Sequence, residues 1–251
     1  MKLIRSKPVR TLLAALFWLA LWQLLSAAVG SALLLPAPLA VVRRLFELMG
    51  TAEFWRTVLL SLLRISAGIV SALILGVITA VLTSRFTLLD ALLAPVISVI
   101  KTTPVASFVI LVLIWLRRDY VPVLISALMV FPPVYLNVLE GICRTDRQLL
   151  EMARVFRVSF GRRLRGIYLP QVMPYFRTAV SLGLGLCWKA GAAAEVIGMP
   201  GGSIGERLYT AKVYFQTPDL FAWTVTIVAV SVIFERLFLA LTDWAAGKAG
   251  G

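Results

Sequence analysis

The sequence holds no histidine, two cysteines and twelve acidic residues in a chain of 251. Without histidine it lacks the commonest general base and the commonest metal ligand. Cys143 and Cys187 stand far apart with no CxxC spacing, which reads as two free thiols rather than a disulfide framework or a metal site. No Gly-x-x-x-x-Gly-Lys-[Ser/Thr] occurs, and the glycine-rich GMPGGSIGE lacks the lysine, so no P-loop cradles ATP phosphates. Nor do His, Asp or Ser gather at one end of the apolar runs, which argues against an integral membrane enzyme.

Charge is scarce as well. Only 15% of residues are charged while 60% are hydrophobic, and mean hydropathy is +0.92. Soluble domains sit nearer half apolar. The surplus apolar surface must face lipid, and one crossing needs roughly 20 apolar residues. The formal net charge is +13. Its basic residues lie between apolar runs rather than on a polar domain, which fits membrane topology and excludes nucleic-acid binding.

About six apolar segments emerge, near 11–30, 57–83, 88–115, 120–140, 171–197 and 219–242. The first follows MKLIRSKPVR; no small-residue cleavage site precedes a soluble domain, so it reads as a membrane helix rather than a signal peptide. The third is interrupted by Pro95 and Pro104. Between the first two, Leu39, Val42, Leu45, Phe46 and Met49 recur at helical spacing opposite Arg43, Arg44 and Glu47, as in a short interfacial helix.

Lysine and arginine placement sets orientation. With residues 1–10 cytoplasmic, Lys2, Arg5, Lys7, Arg10, Arg85, Arg144, Arg147, Arg154, Arg157, Arg162, Arg163, Arg165 and Lys248 fall inside. Arg43, Arg44, Arg56, Arg117, Arg118, Arg207 and Lys212 fall outside. The expected fold is therefore an all-α polytopic membrane protein, both termini inside, residues 11–251 forming one transmembrane domain. Its longest polar loop, 141–170, then faces the cytoplasm.

That loop reads EGICRTDRQLLEMARVFRVSFGRRLRGIYLPQVMPYF. Asp146 is a candidate N-cap for a helix running to about Val158. A basic turn, Gly161–Arg165, follows, and Pro170 and Pro174 suit the first turn of the next membrane helix. The loop resembles the EAA loop of binding-protein-dependent ABC importer permeases. Glu151, Met152 and Ala153 stand for its Glu-Ala-Ala triplet; Ile167, Leu169 and Pro170 match its Ile-x-Leu-Pro end. Met152 replaces an alanine. Arg157 occupies the family's glycine position, which implies altered turn geometry or a turn made without positive φ.

The stretch CWKAGAAAEVIGMPGGSIGERLYTAKVY resembles nitrate, sulfonate and taurine permeases, with Trp188, Glu195, Gly198, Gly202 and Gly205 in place. LPAP at Leu35–Pro38 resembles that subfamily's LPSP. The resemblance implies a multi-pass protein of the bacterial inner membrane, paired with a cytoplasmic ABC ATPase that binds the ATP and with an extracytoplasmic substrate-binding protein. It also implies a homodimer, a coupling helix in the loop and no cofactor held by this chain. A gradient-driven carrier or channel is the rival, but the inverted repeats it predicts are not visible.

Ionisable residues within a span are functional candidates. Lys101, Thr102 and Thr103 precede the Pro104 break, where backbone groups are tolerated only against protein or water. They are expected to line the route and attract an anion, or Lys101 pairs with a carboxylate. Lys189 and Glu195 flank AGAAA six residues apart, on different faces. Glu195 is expected at an outer gate, across from a lysine, or in a structural ion pair. Arg64, Arg236 and Glu235 are expected to snorkel, Asn137 and Glu140 to be solvated, and Trp18, Trp22, Trp115, Trp223 and Trp244 to anchor or pack.

Overall fold

The computed structural model describes the backbone of residues 7–249 and the side chains of residues 9–242. Lys2 and Arg5, with the side chains of Lys7, Trp244 and Lys248, lie outside that description. Among the described residues all regular structure is helical.

Helix α1 (Lys7–Val29) is apolar all round and packs little. It is held at its end, where the Trp22 indole donates to the Pro36 carbonyl (3.1 Å) and Ser26 Oγ to that of Leu35 (2.9 Å). Helix α2 (Pro38–Met49) starts on a proline, whose missing N–H costs nothing at a first helical turn. Its Val41 is buried while Leu39 and Phe46 stay exposed, so part of its apolar surface is left for a bilayer interface.

Helix α3 (Ala52–Thr83) begins at Thr51, whose hydroxyl accepts from the Phe54 amide. At about 1.5 Å per residue it is long enough to cross a bilayer core with length to spare. Thr57, Ser61, Ile65, Gly68, Ala72, Gly76, Ala80 and Thr83 recur every three or four residues and form its buried face. That face packs on α6 (Val121–Cys143), the central helix, which in turn packs along α9 (Leu169–Gly198). Small residues let these axes approach closely. A Cβ on Gly191 would lie 2.6 Å from Ser126 Oγ of α6 and 2.8 Å from Ile65 Cγ1 of α3.

The third apolar segment is two helices, α4 (Thr87–Thr102) and α5 (Val105–Trp115), bent by 110°. Pro104 makes the break. It forces Thr103 into extended backbone (ψ 132°) and offers no N–H to continue the ladder. Pro95, expected to interrupt the segment, sits inside α4. A one-turn 3₁₀ segment, Arg118–Tyr120, leads into α6.

Among the described residues five helices are long and apolar enough to cross a membrane, six with the bent pair taken as one span. The loop after α6 carries α7 (Arg147–Val155) and α8 (Phe160–Arg163), and then a π turn, Leu164–Tyr168. This runs without a break into α9, so the expected basic turn at Gly161–Arg165 is helical. Helix α10 (Ile204–Val213) folds back against α9 and α11 (Thr217–Ala249).

Candidate functional site

Helix α7 is short and closed at both ends by side-chain and backbone chemistry. Asp146 caps it, accepting from the Gln148 amide at 2.8 Å, and its own amide donates to Gln171 Oε1 of α9 at 2.9 Å. The helix stops at Val155 rather than Val158. The Val158 amide donates to the Ala153 carbonyl (2.8 Å) and the Arg157 amide to that of Arg154 (3.0 Å). This paired bonding is a Schellman closure, which needs a left-handed residue at its turn. Arg157 takes that place with φ of 52°. The turn thus keeps the positive φ that the glycine position supplies, on an arginine.

Ala153 is buried, whereas Glu151, Met152, Val155 and Phe156 are exposed. Two of these, Val155 and Phe156, are apolar residues at 78% and 74% exposure, and no motif or periodicity singles them out. Ile167 and Leu169 are half-buried and Pro170 stands exposed at the start of α9.

A second polar feature lies in the membrane-spanning part. Asp90, Ser98, Lys101 and Thr102 of α4 line a cleft of about 310 Å³ against Tyr135 and Leu136 of α6. Tyr135 donates its hydroxyl to Asp90 Oδ1 at 2.8 Å. Thr102 and Thr103 both donate back into α4, to the Ser98 carbonyl (2.9 Å) and the Val99 carbonyl (2.7 Å). Thr103 does not line the cleft. Lys101 is exposed and makes no ion pair among the described residues. Sequence spacing held the signal for Asp90 and Ser98, since 90, 94, 98 and 101 lie on one helical stripe.

Lys189 and Glu195 are separate. Lys189 is exposed on α9; Glu195 is 1% exposed. Glu195 Oε2 accepts from Ser61 Oγ at 2.8 Å and from the Gly205 amide at 3.2 Å. Ser61 Oγ in turn accepts from the Ile204 amide at 2.9 Å. Glu195 therefore satisfies the first turn of α10 from outside that helix, together with Ser61 and the N-cap Ser203. Arg64, expected to snorkel, instead donates to Asp119 Oδ1 (2.8 Å) and the Gly201 carbonyl (3.1 Å). Trp223 is buried and stacks on Phe54.

Residues 72–246 match the family described as the binding-protein-dependent transport system inner membrane component. The chain belongs to this family. It is similar to the putative aliphatic sulfonates transport permease protein SsuC of Bacillus subtilis (strain 168), at 28% identity over 92% of this chain and 87% of that one. The bicarbonate transport system permease protein CmpB of Synechococcus elongatus is 26% identical over 90% of this chain and 85% of its own. The taurine transport system permease protein TauC of Escherichia coli (strain K12) is 24% identical over 89% and 84%. The chain is a transport subunit of the inner membrane, of the ABC importer permease class.

Proposed function

We propose that this permease moves a small anionic solute, with α7 as the element that receives the ATPase stroke. The observation that carries the reading is α7 itself. It is a rigid, doubly closed helix whose exposed side holds Glu151, Met152, Val155 and Phe156. Apolar side chains left in water beside a carboxylate suit a groove on a partner protein better than solvent. The pin from Asp146 to Gln171 joins α7 to the base of α9. A displacement of α7 is thereby passed to the continuous helical run Phe160–Gly198.

The chain has no P-loop, so ATP is bound by a separate cytoplasmic subunit, and an extracytoplasmic protein delivers the solute. Both termini are cytoplasmic, the bent α4–α5 pair counting as one crossing. A second copy of the chain covers the α4 stripe. Asp90, Ser98, Lys101 and Thr102 are exposed at membrane depth in the single chain, a costly arrangement against lipid. Two copies facing each other would place them on water. Lys101 supplies a cation along that route, and the relatives are named for aliphatic sulfonates, bicarbonate and taurine.

The test is co-purification with the ATPase encoded beside it, followed by vesicle uptake of a radiolabelled sulfonate delivered by the neighbouring binding protein. Wild type should retain the ATPase and take up solute only with ATP. Glu151→Ala and Phe156→Asp should strip the ATPase or uncouple its turnover. Uptake that runs without ATP would overturn the reading in favour of a gradient-driven carrier.

A further inference from the structure

One cleft belongs neither to the loop helix nor to the α4 stripe. It has a volume of about 750 Å³ and lies between α9 and α11, where Met173, Arg177, Thr178, Ser181 and Leu182 of α9 face Leu239 of α11. Helix α4, assigned above to the second copy, packs chiefly on α3 and α6. The depth of the cleft follows from helix length. The run Phe160–Gly198 holds 39 residues, which is roughly 58 Å of helix against a hydrocarbon core of about 30 Å. The chain turns away after Gly198, at the left-handed Met199. The roughly 20 residues that one crossing needs, counted back from there, end beside Thr178. Arg177 and Thr178 therefore stand where headgroups meet hydrocarbon, and Leu182 lies inside that boundary.

The cleft is divided as a phospholipid is. Ser71, Thr79, Thr178 and Thr224 turn their hydroxyls back onto their own helices. Exposed Ser181 makes no such bond among the described residues, which leaves its hydroxyl for the cleft. Arg177 is engaged within the protein. Its guanidinium has five N–H donors, and one carboxylate or carbonyl partner takes at most two of them. No acid lines the cleft. From Met152 to Ala194 the chain carries seven cations, Arg177 among them, and no acidic side chain. An anionic headgroup is drawn to such a stretch at a membrane surface, while the ammonium of a zwitterionic one finds no carboxylate in the cleft. Further into the core, Leu182 and Leu186 stand exposed one turn apart on the same face. We propose that this cleft seats an anionic phospholipid, with its phosphate on Arg177 and Ser181 and an acyl chain along Leu182 and Leu186. Bound there, the lipid braces α9 less than two turns from Gln171, the residue that pins α7. Such a site is independent of which solute crosses.

The complex with its natural ATPase is prepared with Leu186→Cys in a Cys143→Ser background, since Cys143 is exposed and Cys187 is buried. The new thiol is labelled with bimane, and the complex is placed in phosphatidylcholine nanodiscs. Brominated phosphatidylglycerol and brominated phosphatidylcholine are compared as quenchers at the same mole fraction. Phosphatidylglycerol should quench severalfold more strongly. Arg177→Gln should bring the two lipids together, and Arg177→Lys should keep most of the difference. Equal quenching in the parent complex makes this face ordinary boundary lipid and overturns the proposal. Quenching by neither lipid does the same, because protein or water then covers the face. Relief of quenching by millimolar inorganic phosphate would assign the site to a free oxyanion and also overturn it. A second measurement avoids the label: phospholipid retained by the unlabelled complex through detergent purification should be enriched in phosphatidylglycerol, and Arg177→Gln should lose that enrichment. ATP-dependent uptake by the wild-type complex, followed alongside, reports on the permease reading separately.

Discussion

The Val158 amide lies 2.8 Å from the Ala153 carbonyl, and that bond can form only because Arg157 between them is left-handed. The closure fixes where α7 ends and turns the chain toward α8. A non-glycine residue in that conformation costs about 1–2 kcal/mol, so the loop carries strain at the turn between α7 and α8.

Arg157→Gly should relieve that strain. The expected gain is about 1 kcal/mol in local stability, seen as slower hydrogen exchange at the Val158 amide and slower protease nicking between α7 and α8. Arg157→Val should move both the other way, because a β-branched residue is a poor fit at positive φ. Unchanged exchange in both variants would mean that the turn is not held by this residue's conformation.

Glu195 and Gly205 form a tightly fitted pair. Oε2 takes the Gly205 amide, and a Cβ on Gly205 would run into the Glu195 Cβ and backbone. Gly205→Ala should therefore displace α10 or cost several kcal/mol, since backbone cannot yield as a flexible side chain does. Glu195→Gln keeps an acceptor for Ser61 and Gly205 and should be the milder change. Glu195→Ala orphans a buried hydroxyl and an amide at about 1–3 kcal/mol each. Thermal midpoints in detergent should rank wild type, Glu195→Gln, then Glu195→Ala; an Ala variant as stable as wild type would remove Glu195 from the structure of α10.

The spans were legible because twenty-residue apolar runs have no other soluble explanation, and Asp146 marked the start of α7 through ordinary capping chemistry. Pro104 announced a break, but nothing local sets its 110° angle, which depends on where α5 packs. The end of α7 was misplaced because an arginine gives no sign that it adopts the glycine conformation. Asp90 passed unnoticed since an acid in a first helical turn is ordinary; its partner, Tyr135, arrives from another helix. Ser61 was missed, and Arg64 was expected to snorkel, for the same reason. Their partners, Glu195 and Asp119, are reached only through tertiary folding.

On the face of α2, Arg44 bonds both Asp219 (2.5 and 3.0 Å) and Glu47 (3.0 Å). The hydrogen bond from Arg44, with Arg43 nearby, holds the Glu47 carboxyl below its ordinary value of 4.5. A carboxyl depressed in the folded state stabilises it above the ordinary value, and the contribution is lost as pH falls through the depressed one. The difference in thermal midpoint between wild type and Glu47→Gln should be present near neutrality and vanish in acid below that value. A difference that persists unchanged into acid would assign the effect to packing.

Two glycines in membrane helices make opposite predictions from the same substitution. A Cβ on Gly68 of α3 would meet the Val123 carbonyl and lie 2.7 Å from Ser126 Cβ of α6, while Gly185 of α9 has nothing within 4 Å. Helix propensity alone favours Gly→Ala at both sites by roughly 0.5–1 kcal/mol. At Gly185 that gain should stand, raising the midpoint slightly. At Gly68 the methyl must push α6 away along the central interface, and the cost of overpacking, typically 1–3 kcal/mol, should win. A stabilising Gly68→Ala would show that α3 and α6 lie farther apart in the bilayer than the fold described here, and would weaken the placement of Tyr135 beside Asp90, since Tyr135 stands on that same helix.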